Sequence, residues 1–167
     1  LTGITYLAHD KTSGFNVCND ATPGCSRECL DYAGHGSMEP TQIARIKRTL
    51  FLFQHRAEYF LQAEREWESL IRQADRRKLI PVGRPNGTSD LPWECMPFTG
   101  KSGRRYGSLM ERFPDGRDIF WMDYTKNPTR AREQPYNLTF SRAETPINQA
   151  HALELLEQGI NIAVVFG

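Results

Sequence analysis

Three of the four cysteines, Cys18, Cys25 and Cys29, fall within twelve residues in the spacing C-x6-C-x3-C, while Cys95 stands alone. Thiolates are soft donors that select zinc, copper(I) or iron–sulfur clusters. Structural zinc draws close pairs of ligands from two separate knuckles, and here there is one compact group with no second pair. A secreted disulfide scaffold spreads its cysteines along the chain. This grouping points instead to a metal or iron–sulfur site in a reducing compartment, with a disulfide or unrelated thiols as the competing readings. Three thiolates in one loop suit a four-iron, four-sulfur (4Fe-4S) cluster. Its fourth iron would be open to a small-molecule ligand or held by Cys95, His9 or His35.

The elements that must position these thiols can be read from the flanking pattern. Residues 4–8 form a short strand-like run, and residues 9–36, punctuated by Gly14, Pro23, Gly24, Gly34 and Gly36, read as a loop. A loop of that length is uncommon in a compact domain unless it carries function. From Pro40 to Lys78 apolar residues recur at three- and four-residue steps, the period of a helix, with a bend expected near His55–Glu58. Leu79–Gly83 reads as a strand. After a glycine-rich basic stretch, a short helix is expected at about 105–113. Asp118–Asp123 and Tyr136–Phe140 follow as strands joined by only a short turn. Pro146 opens a helix at its favoured first position, Gly159 stops it after Gln158, and Ile160–Phe166 reads as a last strand. Strands alternating with helices argue for parallel βαβ units. The expected fold is a single α/β domain over 1–167, a partial (β/α) barrel-like parallel sheet with the cysteine loop after the first strand and the long helix following.

In such a sheet the carboxyl ends of the strands form the active-site end. Three strand ends share a pattern of a glycine or aromatic residue, a hydroxyl residue and a polar one: Gly87-Thr88-Ser89, Tyr124-Thr125-Lys126 and Phe140-Ser141-Arg142. Each is followed by a proline, namely Pro92, Pro128 and Pro146. Hydroxyls and prolines also simply make turns. Because the cysteine loop leaves the first strand at the same end, its thiols are expected to face a cavity ringed by Asn86, Asp90, Asp123, Lys126, Ser141 and Arg142. Asn86, Ser89, Asp90, Ser141 and Arg142 are the candidate ligand-binding residues. Asp90, Asp123 and Lys126 are the candidates for proton transfer, with salt bridging of Lys126 and Arg142 to Asp90, Asp123 or Glu144 as the plainer role.

The 167 residues are 39% hydrophobic and 25% charged, with a formal net charge of +1. Disorder and a membrane span are both excluded by that composition and by the absence of a ~20-residue apolar stretch. Near-neutral charge supplies no bulk drive toward nucleic acid or a membrane surface. The basic groups around Arg72–Lys78 and Lys101–Arg105 are interleaved with acids and read as solvated faces. Trp93 and Trp121 are expected to pack beside the polar tips. No P-loop, H-E-x-x-H or nucleophile-elbow motif occurs.

The segments Asn16-x-Cys18, Ala21-Thr-Pro-Gly-Cys25-x-x-x-Cys29-Leu30, Ala33-Gly-x-Gly36, Asn86-Gly-Thr-Ser-Asp90-x-Pro-Trp-Glu94, Asp123-Tyr-Thr-Lys126 and Leu138-Thr-Phe-Ser-Arg142 occur in that order. Together they resemble the bacteriophage gene-product-88-like proteins over nearly the whole chain. The resemblance implies a phage-encoded protein acting in a bacterial cytoplasm with a cysteine-ligated site. It also implies a chain that runs on past a Val-Val-Phe strand, so one stopping at Gly167 is expected to be shortened at its C-terminus. More distantly, the loop of three cysteines after the first strand resembles radical S-adenosylmethionine (AdoMet) enzymes, which implies a 4Fe-4S cluster and AdoMet as cofactors. The spacing departs from their C-x3-C-x2-C, and only the region of Gly87 stands in for their glycine-rich AdoMet segment. The expected function is an iron–sulfur protein, as a redox or radical-type enzyme with an open iron. The alternatives are a non-enzymatic electron-transfer or sensing protein and a zinc-stabilised binding module.

Overall fold

The computed structural model describes residues 1–164. Five parallel strands form the main sheet: β1 (Thr2–Ile4), β2 (Val82–Arg84), β5 (Phe120–Thr125), β6 (Asn137–Ser141) and β7 (Ile162–Ala163). They lie side by side in chain order, β1-β2-β5-β6-β7, each pair parallel. Every crossover therefore advances one position in the same direction, as in a partial (β/α) barrel, and all five strands end at the same edge. The expected fold class is the observed one.

The long helical stretch divides where the sequence predicts. Helix α2 (Glu39–Gln54) ends at His55, whose φ of −131° and ψ of 54° leave the helical region, and α3 (Arg56–Arg77) begins at once. Pro146 and Gly159 bracket α6 (Pro146–Glu157) as expected, with the Thr145 hydroxyl accepting from the Asn148 amide and Gly159 at φ 79°. These are the start and stop signals that satisfy a helix's unpaired terminal groups.

Elsewhere the boundaries move. Pairing of β1 covers 2–4 rather than 4–8, because its register with β2 ends at Ile4 opposite Arg84. Leu7 and Ala8 are nonetheless fully buried, and the Thr88 hydroxyl donates to the Leu7 carbonyl. Leu79 and Ile80 are exposed and lie before β2. The stretch at 105–113 is only partly helical. Phe98–Thr99 (β3) and Arg105–Tyr106 (β4) form an antiparallel hairpin turned at Gly103, which sits at φ 80°. The helix α4 is confined to Leu109–Arg112 and capped by Ser108. Between β5 and β6 the expected turn is a short helix, α5 (Pro128–Glu133), capped by Asn127. The cysteine loop contains the five-residue helix α1 (Pro23–Arg27) and two single 3-10 turns at Leu30–Tyr32 and Gly34–Ser37. Of the last predicted strand, residues 165 and 166 lie outside the described residues.

The core gathers Tyr59, Phe60 and Trp67 of α3 against Trp93, Phe98, Phe113, Trp121 and Leu138. Trp67 and Trp121 meet edge to face at 4.9 Å. Gly83 makes room for this pair, since a Cβ there would stand 2.5 Å from the Trp121 ring. A second cluster of Ala131, Phe140, Ala152 and Leu155 seals α5 and α6 onto β6.

Candidate metal centre

The cysteine loop is tied to the carboxyl edge of the sheet at three successive strand ends. Within the loop, the His9 ring Nδ1 lies 3.1 Å from the Asp31 carboxylate. Beyond β2, the Asp90 amide donates to the Val17 carbonyl (2.8 Å), and the Cys18 thiol faces the Thr88 carbonyl at 3.7 Å. Beyond β5, the Asn127 side chain donates to Asp20 (3.1 Å). Beyond β6, Glu144 accepts from the Thr22 hydroxyl and from the Gly24 amide, each at 2.8 Å. Gly24 stands where a Cβ would fall 2.7 Å from that carboxylate. The loop is long because it must reach across the whole sheet edge.

Cys18, Cys25 and Cys29 are free and half-buried, whereas Cys95 is exposed on the separate 3-10 turn Trp93–Cys95. Burial pushes the Cys18 thiol up to about 12. The Asp10 amide opposes the rise, while the Asp90 carboxylate, Cys29 and Cys25 add to it. The Cys25 thiol is likewise raised, first by burial and then by Glu144, Asp90 and Asp10, with Lys126 pulling it down. Burial raises the Cys29 thiol, the Asp31 amide opposes it, and the Asp31 carboxylate and Cys25 reinforce it. The three sulfurs therefore lie within electrostatic reach of one another, two of them beside backbone amides suited to a thiolate. Among the described residues no three His, Cys, Asp or Glu side chains are gathered tightly enough to bind a single ion. A cluster sets a different demand, because its cysteines each bind a separate iron. The soft donor set fits such a group.

Most of the polar strand tips do meet, but largely through one another. The Asn86 side chain oxygen accepts from Ser89, from the Leu91 amide and from the Trp93 indole, and its Nδ2 donates to the Leu91 carbonyl. Asn86 and Ser89 thus knit the turn after β2. Asp90 accepts from the Thr125 hydroxyl (3.0 Å), the Lys126 amide (2.8 Å) and Arg130 (2.5 Å). Lys126 Nζ donates to the hydroxyl and the carbonyl of Ser141 at 3.0 and 3.2 Å. The expected salt bridges of Lys126 to Asp90, Asp123 or Glu144 give way to this hydroxyl and carbonyl pairing. Asp123 lies under the sheet edge, held by Arg84 (3.3 Å) and by the amides of Asn86 (2.6 Å) and Tyr124 (3.0 Å). Its burial outweighs those donors and lifts the carboxyl to about 7. Arg142 is exposed, and among the described residues its guanidinium meets no partner. Gly87 packs against Tyr6, Ile4 and the Thr5 carbonyl, so it is committed to contact with β1 and its extension rather than to a cofactor.

Sequence reasoning missed Arg130, which bridges Asp90 and Glu94 (2.7 Å) from α5. The dipeptide Asn127-Pro128, a capping residue before a first-position proline, was the available signal for that helix. It also missed Arg45, buried beside Tyr6 and paired with Asp31, two residues past Cys29 in the chain. Of the other possible fourth ligands, His9 is engaged with Asp31 and Thr12, and His35 is exposed.

No curated protein and no solved structure matches the chain, and the likeness to radical AdoMet enzymes gains no support from these comparisons. The sequence profile described as Gene product 88 matches residues 1–167. With the cysteine loop and all the strand-tip motifs inside that match, the protein belongs to the Gene product 88 family of bacteriophage proteins.

Proposed function

We propose that Cys18, Cys25 and Cys29 hold a 4Fe-4S cluster at the carboxyl edge of the sheet. One observation carries this reading: three free, half-buried thiols share a loop that three strand ends hold in place. When bound, such a cluster stores and transfers single electrons at potentials tuned by hydrogen bonds to its sulfurs. The chain's own contribution is to position and to balance charge. The Asp10 and Asp31 amides favour the thiolate forms of Cys18 and Cys29, and Lys126 does so for Cys25. Their raised thiols mean that loading releases protons, as thiolate ligation requires. With three protein thiolates, the fourth iron would be left for a small molecule, AdoMet among the candidates, with Asp90, Lys126 and Ser141 at the same sheet edge as the groups that would hold it.

Anaerobic purification followed by iron, sulfide and zinc analysis tests the proposal. The expected result is a brown protein with equal iron and sulfide. Cys18→Ala, Cys25→Ala and Cys29→Ala should each lose the chromophore, and Cys95→Ala should keep it. Bound zinc without sulfide overturns the cluster. Equal loss in Cys95→Ala overturns the three-thiolate assignment. Cleavage of added AdoMet under reduction selects a radical-type enzyme over an electron carrier.

A further inference from the structure

Among the described residues, strand β1 is the edge of the sheet and pairs with β2 alone. The Leu1 carbonyl accepts from the Val82 amide and the Thr5 amide donates to Arg84, so residues 1, 3 and 5 direct their backbone groups toward β2. By the alternation of a parallel ladder, the N–H and C=O groups of Thr2 and Ile4 point to the open side. Both residues are exposed. Natural sheets protect such edges with a covering helix, a bulge or an inward charge. Here α2 and α3 stop short and leave a groove of about 660 Å³ along Gly3, Ile4 and Thr5.

The groove has a polarity. Its apolar wall is built by Phe51, Tyr59, Trp67 and Leu70. At the carboxyl end of β1 stand two exposed cations, Lys47 and Arg48. Arg48 donates to the Tyr6 carbonyl at 2.5 Å, which fixes one positive charge where the open edge ends. The acid in the groove, Glu66, accepts from Gln62 on its own helix. A second copy of the chain is a poorer occupant, because its own β1, Thr2–Ile4, carries no acid to meet Lys47 and Arg48.

We propose that this groove docks an extended, acidic peptide segment of another protein, which adds to β1 as a sixth strand. Main-chain bonds to Thr2 and Ile4 supply the register, alternate apolar side chains lie on Phe51 and Leu70, and an acidic residue meets Lys47 and Arg48. This is recognition by strand addition, with affinity from the backbone and selectivity from alternate side chains.

Selection of a phage-displayed random heptapeptide pool on the whole protein, followed by synthesis of the enriched peptides, tests the proposal. Enriched peptides should share an acidic residue among alternating β-branched ones and shift the Thr2 and Ile4 amide resonances. N-methylation of the peptide amides facing β1 should weaken binding at least tenfold, since it removes the ladder donors without changing the side chains. Lys47→Glu should weaken binding several-fold while leaving the circular dichroism unchanged. The proposal is overturned if no peptide is enriched, if N-methylation has no effect, if the shifts fall elsewhere, or if the protein pairs with itself through β1.

Discussion

The molecule contains two arginine-bridged carboxylate clusters of similar plan and opposite electrostatic character. Beside the hairpin, Arg112 joins Glu64 (2.6 Å) to Glu68 (2.7 Å), and Lys101 adds a second cation on Glu68 at 2.5 Å. Under the cysteine loop, Arg130 joins Asp90 to Glu94 with no second cation among the described residues. Burial raises the Glu64 carboxyl, but the Lys101 amide, the Arg112 hydrogen bond and both cations outweigh it, so Glu64 lies below its ordinary range. For Asp90 burial prevails over the Lys126 amide, Arg130 and Thr125, and Asp20 adds to the rise. Asp123 is lifted in the same way. One cluster therefore gains by being charged. The other concentrates carboxylates and thiols where charge is costly, the pattern found where a site awaits a ligand or does chemistry.

Removing each arginine tests that contrast most severely. Arg130→Ala strands two largely buried carboxylates and should cost about 3–5 kcal/mol, the range for breaking a buried pair. Arg112→Ala leaves Lys101 and its amide in place and should cost about 2 kcal/mol. Denaturant melts of both variants provide the comparison, and equal losses would erase it.

The pH dependence should have opposite signs in the two regions. Asp123 has a folded value of about 7 against an ordinary 3.8. The folded state therefore binds the extra proton between those values, and its contribution to stability falls as pH rises from about 4 to about 7. Asp123→Asn should flatten that slope in a series of thermal melts. Glu64, lowered in the folded state, contributes above its ordinary value of 4.5 and loses that contribution as pH falls below it. Glu64→Gln should remove that acid-side loss and leave the slope above about 5.5 unchanged.

The smallest effect is expected at Lys101, whose side chain is 48% exposed. Lys101→Ala should cost no more than about 0.5 kcal/mol, as exposed pairs do, and the difference should vanish at high salt. A larger, salt-independent loss would mean that the Lys101–Glu68 pair is shielded from solvent despite its exposure.

Much of the fold is legible because its signals are local. Capping residues, first-position prolines and the glycine stop of α6 act within one turn, and apolar periodicity marks the long helical stretch that becomes α2 and α3. The hairpin of β3 and β4 escapes because each strand is two residues long, too short to display a period. The grouping of Cys18, Cys25 and Cys29 is equally plain in the chain. What only the tertiary structure decided is who meets whom. Arg130 lies 40 residues from Asp90, and Glu144 lies 120 from Gly24. Those pairings depend on the register of parallel strands and on a crossover always advancing the same way, which no local pattern encodes. The same holds for the strand-tip polar groups. The sequence alone determined that they would gather at one edge. Their engagement mainly with one another was settled by burial, since a polar group taken out of water must find a partner in whatever the packing brings near.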